Sequence, residues 1–250
     1  MGVPGLSWLG FGVAAAGLLA GTVWTARRPA GPIPDRAEYL RRWSPLHGGY
    51  DPDRRSLTRG WLRLVYRAAR PLAARGVAAD AVTGWGVLVS LTVPAIAGYR
   101  GRWPLIAVPA VLLAGLTDSL DGAVAVLTGR ATGFGYVLDS VADRVSDAAQ
   151  VVALWALGAP GWLCLAGGGA SGLQEYARAR AGAAGMTELA VLTVFERPTR
   201  ILLIAFLLLG CGLLPDSAGR LATAGAAGWA ALGAAALAQL LLAAHRRLTP

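Results

Sequence analysis

Asp118-Ser-Leu-Asp121-Gly122-Ala-Val-Ala125-Val126 is followed, after eight residues, by Gly135-Tyr-Val-Leu-Asp139-Ser-Val-Ala-Asp143. Four carboxylates sit inside two strongly apolar segments, where ionisable groups are costly and usually functional. On helices, Asp118 and Asp121 are three apart and Asp139 and Asp143 four apart, so each pair shares a face. Two helices joined by a short loop would aim all four acids into one space. Carboxylates gathered so closely repel one another unless cations lie between them. The pattern predicts a metal site. Hard oxygen donors select Mg²⁺, Mn²⁺ or Ca²⁺, and four Asp residues can hold two ions, an arrangement suited to phosphoryl chemistry. Gly122 and Gly135 leave room for a nucleotide or phosphate to approach the backbone.

The surrounding chain is built for a membrane. Its 250 residues are 55% hydrophobic with a mean hydropathy of +0.52, too apolar for an ordinary soluble domain. The net charge is +9, and all 23 basic residues are Arg. They lie in segments flanking apolar runs, which favours membrane lipids and phosphate-bearing substrates over nucleic acid. Cys164 and Cys211 lie within apolar segments without metal-ligand spacing and read as inert core residues. His47 and His245 have no ligand partner at useful spacing.

The predicted architecture is all-α, a polytopic membrane helix bundle. Residues 1–26 hold an apolar run with no basic residue before it, read as a retained transmembrane helix with its N-terminus outside. Residues 27–79 form a basic cytoplasmic linker. Within it, about 57–70 reads as an interfacial amphipathic helix, with Trp61, Leu64, Val65 and Ala68 on one face and Arg63, Arg67 and Arg70 on another. The alternative is a helix packed on the bundle with a solvated Arg face. Asp80 stands where an N-cap would open a membrane domain over 80–246. Six core spans are predicted at about 81–98, 104–126, 135–157, 161–182, 199–214 and 222–244. Ala/Gly-rich stretches at 165–185 and 222–236 suit close helix approach. In this topology the inner segments carry nineteen Arg and the outer turns three, a strong positive-inside bias. All four Asp residues then lie toward the inner face of the cell membrane.

The acidic stretch resembles the signature of the CDP-alcohol phosphatidyltransferase family, D-x2-D-G-x2-A-R, eight or nine residues, then G-x3-D-x3-D. Asp118, Asp121, Gly122, Ala125, Gly135, Asp139 and Asp143 are in register; the family's Arg is replaced by Val126. Ala79-Asp80-Ala-Val-Thr83 resembles the family's Pro-Asn-x-x-Thr entry to the first core helix. The resemblance implies attack of an acceptor hydroxyl on the β-phosphorus of CDP-diacylglycerol or another CDP-alcohol, with release of CMP. It implies two ions, Mg²⁺ or Mn²⁺. Asp118, Asp121 and Asp139 become principal metal ligands, and Asp143 completes the set or acts as general base. Gly122, Ala125 and Gly135 would border the CDP pocket. Arg130, four residues beyond Val126, would reach the same face on a continued helix, unless Gly129 ends that helix sooner. The acceptor is a phosphorylated or free alcohol, with inositol phosphate favoured over glycerol phosphate. The family also implies a homodimer.

Two further stretches, Gln174-Glu175-Tyr-Ala-Arg178-Ala-Arg180 and Glu196-Arg197-Pro-Thr-Arg200, resemble those of actinobacterial phosphatidylinositol-phosphate synthases in that family. The resemblance implies that Arg178, Arg197 and Arg200 receive the acceptor's phosphate, a role to which Arg is suited; positive-inside anchoring is the alternative. Asp147 reads as the structural partner of Arg144 or another Arg rather than as a fifth metal ligand. Competing functions are an intramembrane prenyltransferase, which also uses Asp-rich motifs, an ion or proton transporter, and a catalytically weakened or non-enzymatic membrane relative.

Overall fold

The computed structural model describes residues 31–46, 51, 56–186 and 191–249. They form α1 (Arg36–Leu46), α2 (Ser56–Ala74), α3 (Ala79–Ala97), α4 (Pro104–Thr128), α5 (Gly133–Ala156), α6 (Gly161–Ala183), α7 (Arg197–Leu213), a 3₁₀ turn (Pro215–Ser217) and α8 (Ala218–Leu248). No strand occurs among the described residues. The all-α expectation holds, and α3 to α8 fall within a few residues of the six predicted core segments. By length and composition α3, α4 and the stretch Pro215–Leu248 can cross a membrane. The helix predicted within 1–26 lies outside the described residues. Asp80 falls inside the first turn of α3 rather than before it.

The chain divides into two compact units, one of Met1–Val89 with Leu113–Asp143 and one of Ser90–Leu112 with Arg144–Pro250. In the first, α1 is a helix where the sequence reading has only linker. Asp35 caps it: the Glu38 N–H donates to Asp35 Oδ1 at 2.8 Å, one half of a capping box. Tyr39, 1% exposed, anchors α1 in a core with Val65, Ala69, Val82 and Val124. Its ring lies 5.5 Å from that of Tyr66, whose hydroxyl donates to the Pro34 carbonyl at 3.1 Å.

The buried face of α2 is Leu62, Val65, Ala69 and Ala73. Of the predicted apolar face, Val65 is buried and Ala68 half-buried, while Trp61 and Leu64 are exposed and Leu62 is buried. Tyr39 of α1 shares a core with Val65 and Ala69 of α2, and Leu40 and Trp43 pack against it. Arg63, Arg67 and Arg70 are exposed as predicted. Deeper in the unit α3 and α4 meet closely, since a Cβ on Gly86 would come within 2.6 Å of Thr117 Oγ1.

The second unit is organised by α6 and α8. Gly167 lies against Trp229 and Gly233 against Ala170, so an added Cβ at either would meet a neighbour at 3.1 Å. Trp229 is fully buried, donates from Nε1 to Ser171 Oγ at 2.8 Å, and meets Phe195 edge-on at 5.1 Å. Small residues in the two Ala/Gly-rich stretches thus permit close packing around one large ring.

Candidate metal and nucleotide site

The site is formed where α4 ends and α5 begins. α4 stops at Thr128 because Gly129 turns left-handed, with φ +64°. The Gly129 N–H then bonds the Val126 carbonyl at 3.3 Å and the Arg130 N–H bonds Ala125 at 3.0 Å, a Schellman closure. Three residues later Thr132 caps α5, its Oγ1 accepting the Gly135 N–H at 2.9 Å. This tight reversal sets Asp118 on one helix against Asp139 and Asp143 on the next.

Carboxylate oxygens of Asp118, Asp139 and Asp143, all half-buried, lie within 4.8 Å of one another. Asp121 is engaged differently. Its Oδ2 accepts from Thr83 Oγ1 at 2.6 Å and its Oδ1 accepts from the Gly122 N–H at 2.6 Å. Three hard oxygen donors converging at this spacing fit Mg²⁺ or Mn²⁺.

A cavity of about 490 Å³ opens over these acids, within the size range of ligand pockets. Asp118, Asp121, Gly122, Ala125, Val126, Arg130, Gly135, Asp139 and Asp143 all line it. A Cβ on Gly122 would meet nothing within 4 Å and would project into space now open. A Cβ on Gly135 would press on the cap, 3.1 Å from Thr132 Oγ1 and 3.4 Å from Asp80 Oδ1. Arg130 corrects one expectation. It cannot lie on a continued helix, because the left-handed Gly129 ends α4; the reversed chain nevertheless leaves it on the wall shared with Val126.

Arg144, Arg178 and Arg200 of the second unit share an ion-pair network with Asp147, Glu175 and Glu196. Arg200 is 1% exposed. It donates to Asp147 at 2.7 Å, Glu175 at 2.9 Å, Gln174 at 3.1 Å and the Phe195 carbonyl at 3.0 Å. Its buried guanidinium is thus occupied within the protein, which argues against the reading of Arg200 as a substrate-phosphate contact. Asp147 is its counter-ion, with Arg144 at 3.4 Å, as the structural-pair reading of Asp147 has it. Arg178 is half-buried and bonded to Glu196 at 2.7 Å and the Val191 carbonyl at 3.0 Å. Arg197 is half-buried at the start of α7. Burial pushes the Glu196 carboxyl up, but bonds from Thr193 and the charge of Arg178 outweigh it and hold it below the ordinary Glu range.

Sequence reading misses the far wall of the cavity, made by Tyr39, Trp43 and Leu46 of α1 with Thr58, Trp61, Leu62 and Val65 of α2. Burial pushes the Tyr39 phenol up to about 12, so it stays neutral. A signal for α1 exists in Asp35-Arg-Ala-Glu38, a capping box obscured by the Pro and Arg around it. The Thr83–Asp121 bond has no sequence signal beyond the helix-entry pattern itself.

Comparison with known proteins agrees with this geometry. The family model described as CDP-alcohol phosphatidyltransferase matches residues 77–240. The archaetidylinositol phosphate synthase of Methanothermobacter thermautotrophicus is 38% identical over 143 residues, covering 56% of this chain and 71% of the relative. That of Pyrococcus horikoshii is 34% identical over 144 residues, or 55% and 72% of the two chains. The crystal structure of Mycobacterium tuberculosis phosphatidylinositol phosphate synthase with CDP-DAG bound superposes with a TM-score of 0.60 at 26% identity, covering 73% of this chain and 94% of that one. A second structure of that enzyme, in complex with manganese and citrate, gives 0.59 at 26% identity over 72% and 88%. A helical bundle carrying three converging aspartates under a nucleotide-sized cavity, matched over most of its length, makes this chain a membrane enzyme of the CDP-alcohol phosphatidyltransferase family.

Proposed function

We propose that the chain transfers the phosphatidyl group of CDP-diacylglycerol, or a related CDP-linked lipid, to a hydroxyl of inositol phosphate. The observation that carries this reading is the convergence of Asp118, Asp139 and Asp143 within 4.8 Å on a cavity that also holds Gly122, Ala125 and Gly135. The acceptor is inferred from relatives named for inositol phosphate products. Family membership favours phosphatidyl transfer over the prenyl-transfer and transporter readings.

Divalent ions, a pair in the arrangement we favour, would neutralise the pyrophosphate and stabilise the leaving phosphate. The chain's own part is positional. Asp118, Asp121, Asp139 and Asp143 would hold those ions, with Thr83 and the Gly122 N–H fixing the Asp121 carboxylate. Gly122 keeps the floor open for the pyrophosphate, and Arg130 supplies a cation on the wall where the family's Arg is absent. The acceptor hydroxyl attacks the β-phosphorus, the bond to the bridging oxygen breaks, and CMP departs. The hydroxyl proton passes to Asp143 or to water. Arg178 and Arg197 are our candidates for the acceptor phosphate; Arg200 is not. The active site faces the cytoplasm in the positive-inside topology, and a homodimer is the assembly we propose.

The test is CMP release from CDP-diacylglycerol by the purified full chain with Mg²⁺ or Mn²⁺ and a panel of acceptors. Inositol phosphate should support release well above glycerol phosphate and free inositol. Equal rates with all three, or none with any, would refute the assignment.

A further inference from the structure

Trp43 belongs to α1, outside the residues that the family model matches, yet it lines the same cavity as the three aspartates. Its placement is fixed by packing rather than by chance contact. It stands one helical turn after Tyr39, on the same face of α1. Tyr39 is locked by burial, by the Tyr66 ring and by the Tyr66–Pro34 bond. Trp43 itself packs partly buried against that core. Across the wall Trp61 of α2 is 44% exposed and faces the cavity too.

The outer face of α1 shows which part of a substrate this wall meets. Arg41 and Arg42 are exposed and paired with Glu38 at 2.6 and 2.7 Å. A helix carrying three such charges is too costly to sink among acyl chains, so α1 lies in the aqueous or headgroup layer. The wall therefore adjoins the water-soluble half of a CDP-alcohol. Flat indole surface suits a pyrimidine ring, because base–aromatic stacking needs a π-face and no particular hydrogen bond. Another lining residue adds a reason. Val126 occupies the position of the family's motif Arg, is 8% exposed and brings no charge to the cavity.

We propose that Trp43, on a helix outside the family-matched portion, is a positioning residue that stacks on the cytosine ring of the donor nucleotide. The inference rests on the proposed use of a CDP-linked donor. Anchoring the base would hold the pyrophosphate over Asp118, Asp139 and Asp143, replacing part of the grip lost at Val126.

The test uses the full chain in nanodiscs with Mg²⁺. Titrations with CDP, and with inorganic pyrophosphate as a probe lacking the base, are compared for wild type, Trp43→Phe and Trp43→Leu. Leu keeps apolar bulk without a π-face. CDP affinity should fall roughly 5- to 150-fold in Trp43→Leu, the range of one lost base stack. Pyrophosphate affinity should be unchanged, and Trp43→Phe should recover most of the loss. In turnover the Leu variant should raise KM for CDP-diacylglycerol with kcat nearly held. Unchanged CDP affinity in Trp43→Leu, equal loss of CDP and pyrophosphate, or a defect that varies with donor acyl length would each overturn the proposal. If wild type turns over CDP-diacylglycerol and Trp43→Leu behaves identically, only the Trp43 role fails. If wild type binds no CDP, the donor assignment fails and takes this inference with it.

Discussion

Thr83 Oγ1 donates a 2.6 Å hydrogen bond to Asp121 Oδ2, tying the start of α3 to the second aspartate of α4. The same hydroxyl lies 3.2 Å from the Ala79 carbonyl, but its single proton is better spent on the shorter, charged acceptor. Asp121 is 6% exposed, so this donor and the Gly122 N–H carry the carboxylate's hydrogen bonding.

Removing that donor should be costly out of proportion to its size. Thr83→Val keeps the shape and leaves a buried carboxylate oxygen unsatisfied, a loss of about 1–3 kcal/mol. Thermal unfolding in detergent should show a lowered Tm for Thr83→Val and a near wild-type value for Thr83→Ser. An unchanged Tm in the Val variant would mean that Asp121 is satisfied some other way.

Arg200 makes a second, independent prediction. Its removal leaves buried Asp147 and half-buried Glu175 with only the longer contacts of Arg144 and Arg178, and breaking a buried pair costs about 3–5 kcal/mol. Arg200→Met should unfold at a markedly lower temperature, and Arg200→Lys should rescue it only in part, because an ammonium lacks the planar fork. A normally stable Arg200→Met whose sole defect is a raised acceptor KM would reinstate the phosphate-contact role.

Acid should weaken the second unit through Glu196. Its carboxyl is held below the ordinary range, so it binds fewer protons folded than unfolded near that range. Its stabilising contribution is full above the unfolded value of about 4.3 and disappears as pH falls through the depressed folded value. Wild type should therefore lose more Tm than Glu196→Gln across that acid window. Parallel curves for the two proteins would show that Glu196 does not titrate as described.

Much of this architecture is legible in the chain because hydrophobic runs and helix stops are local signals. The core helices α3 to α8 follow from apolar segments ended by Gly and Pro, and the aspartate spacing points to facing helices before any coordinates exist. Three features resist such reading. Gly129 is a visible stop for α4, but the reversal that keeps Arg130 on the cavity wall beside Val126 is not. Helix α1, which shares a core with α2, has too few apolar residues to announce itself. Arg200 carries the same side chain as a phosphate-binding Arg, and only its neighbours Asp147, Gln174 and Glu175, distant in sequence, reveal that its charge is already met.

The central claim is that oxygens of Asp118, Asp139 and Asp143 hold the divalent ions that CMP release requires. Its most direct test is the rate of CMP release from CDP-diacylglycerol as a function of Mn²⁺ concentration, for wild type and Asp139→Asn. Wild type should be silent under chelation and saturate with added Mn²⁺. Asp139→Asn should lose at least about 10- to 100-fold in apparent metal affinity or rate, the loss seen when even outer-shell partners of a metal are removed. Release that persists under chelation, or an Asn variant that matches wild type at every Mn²⁺ concentration, would contradict the account.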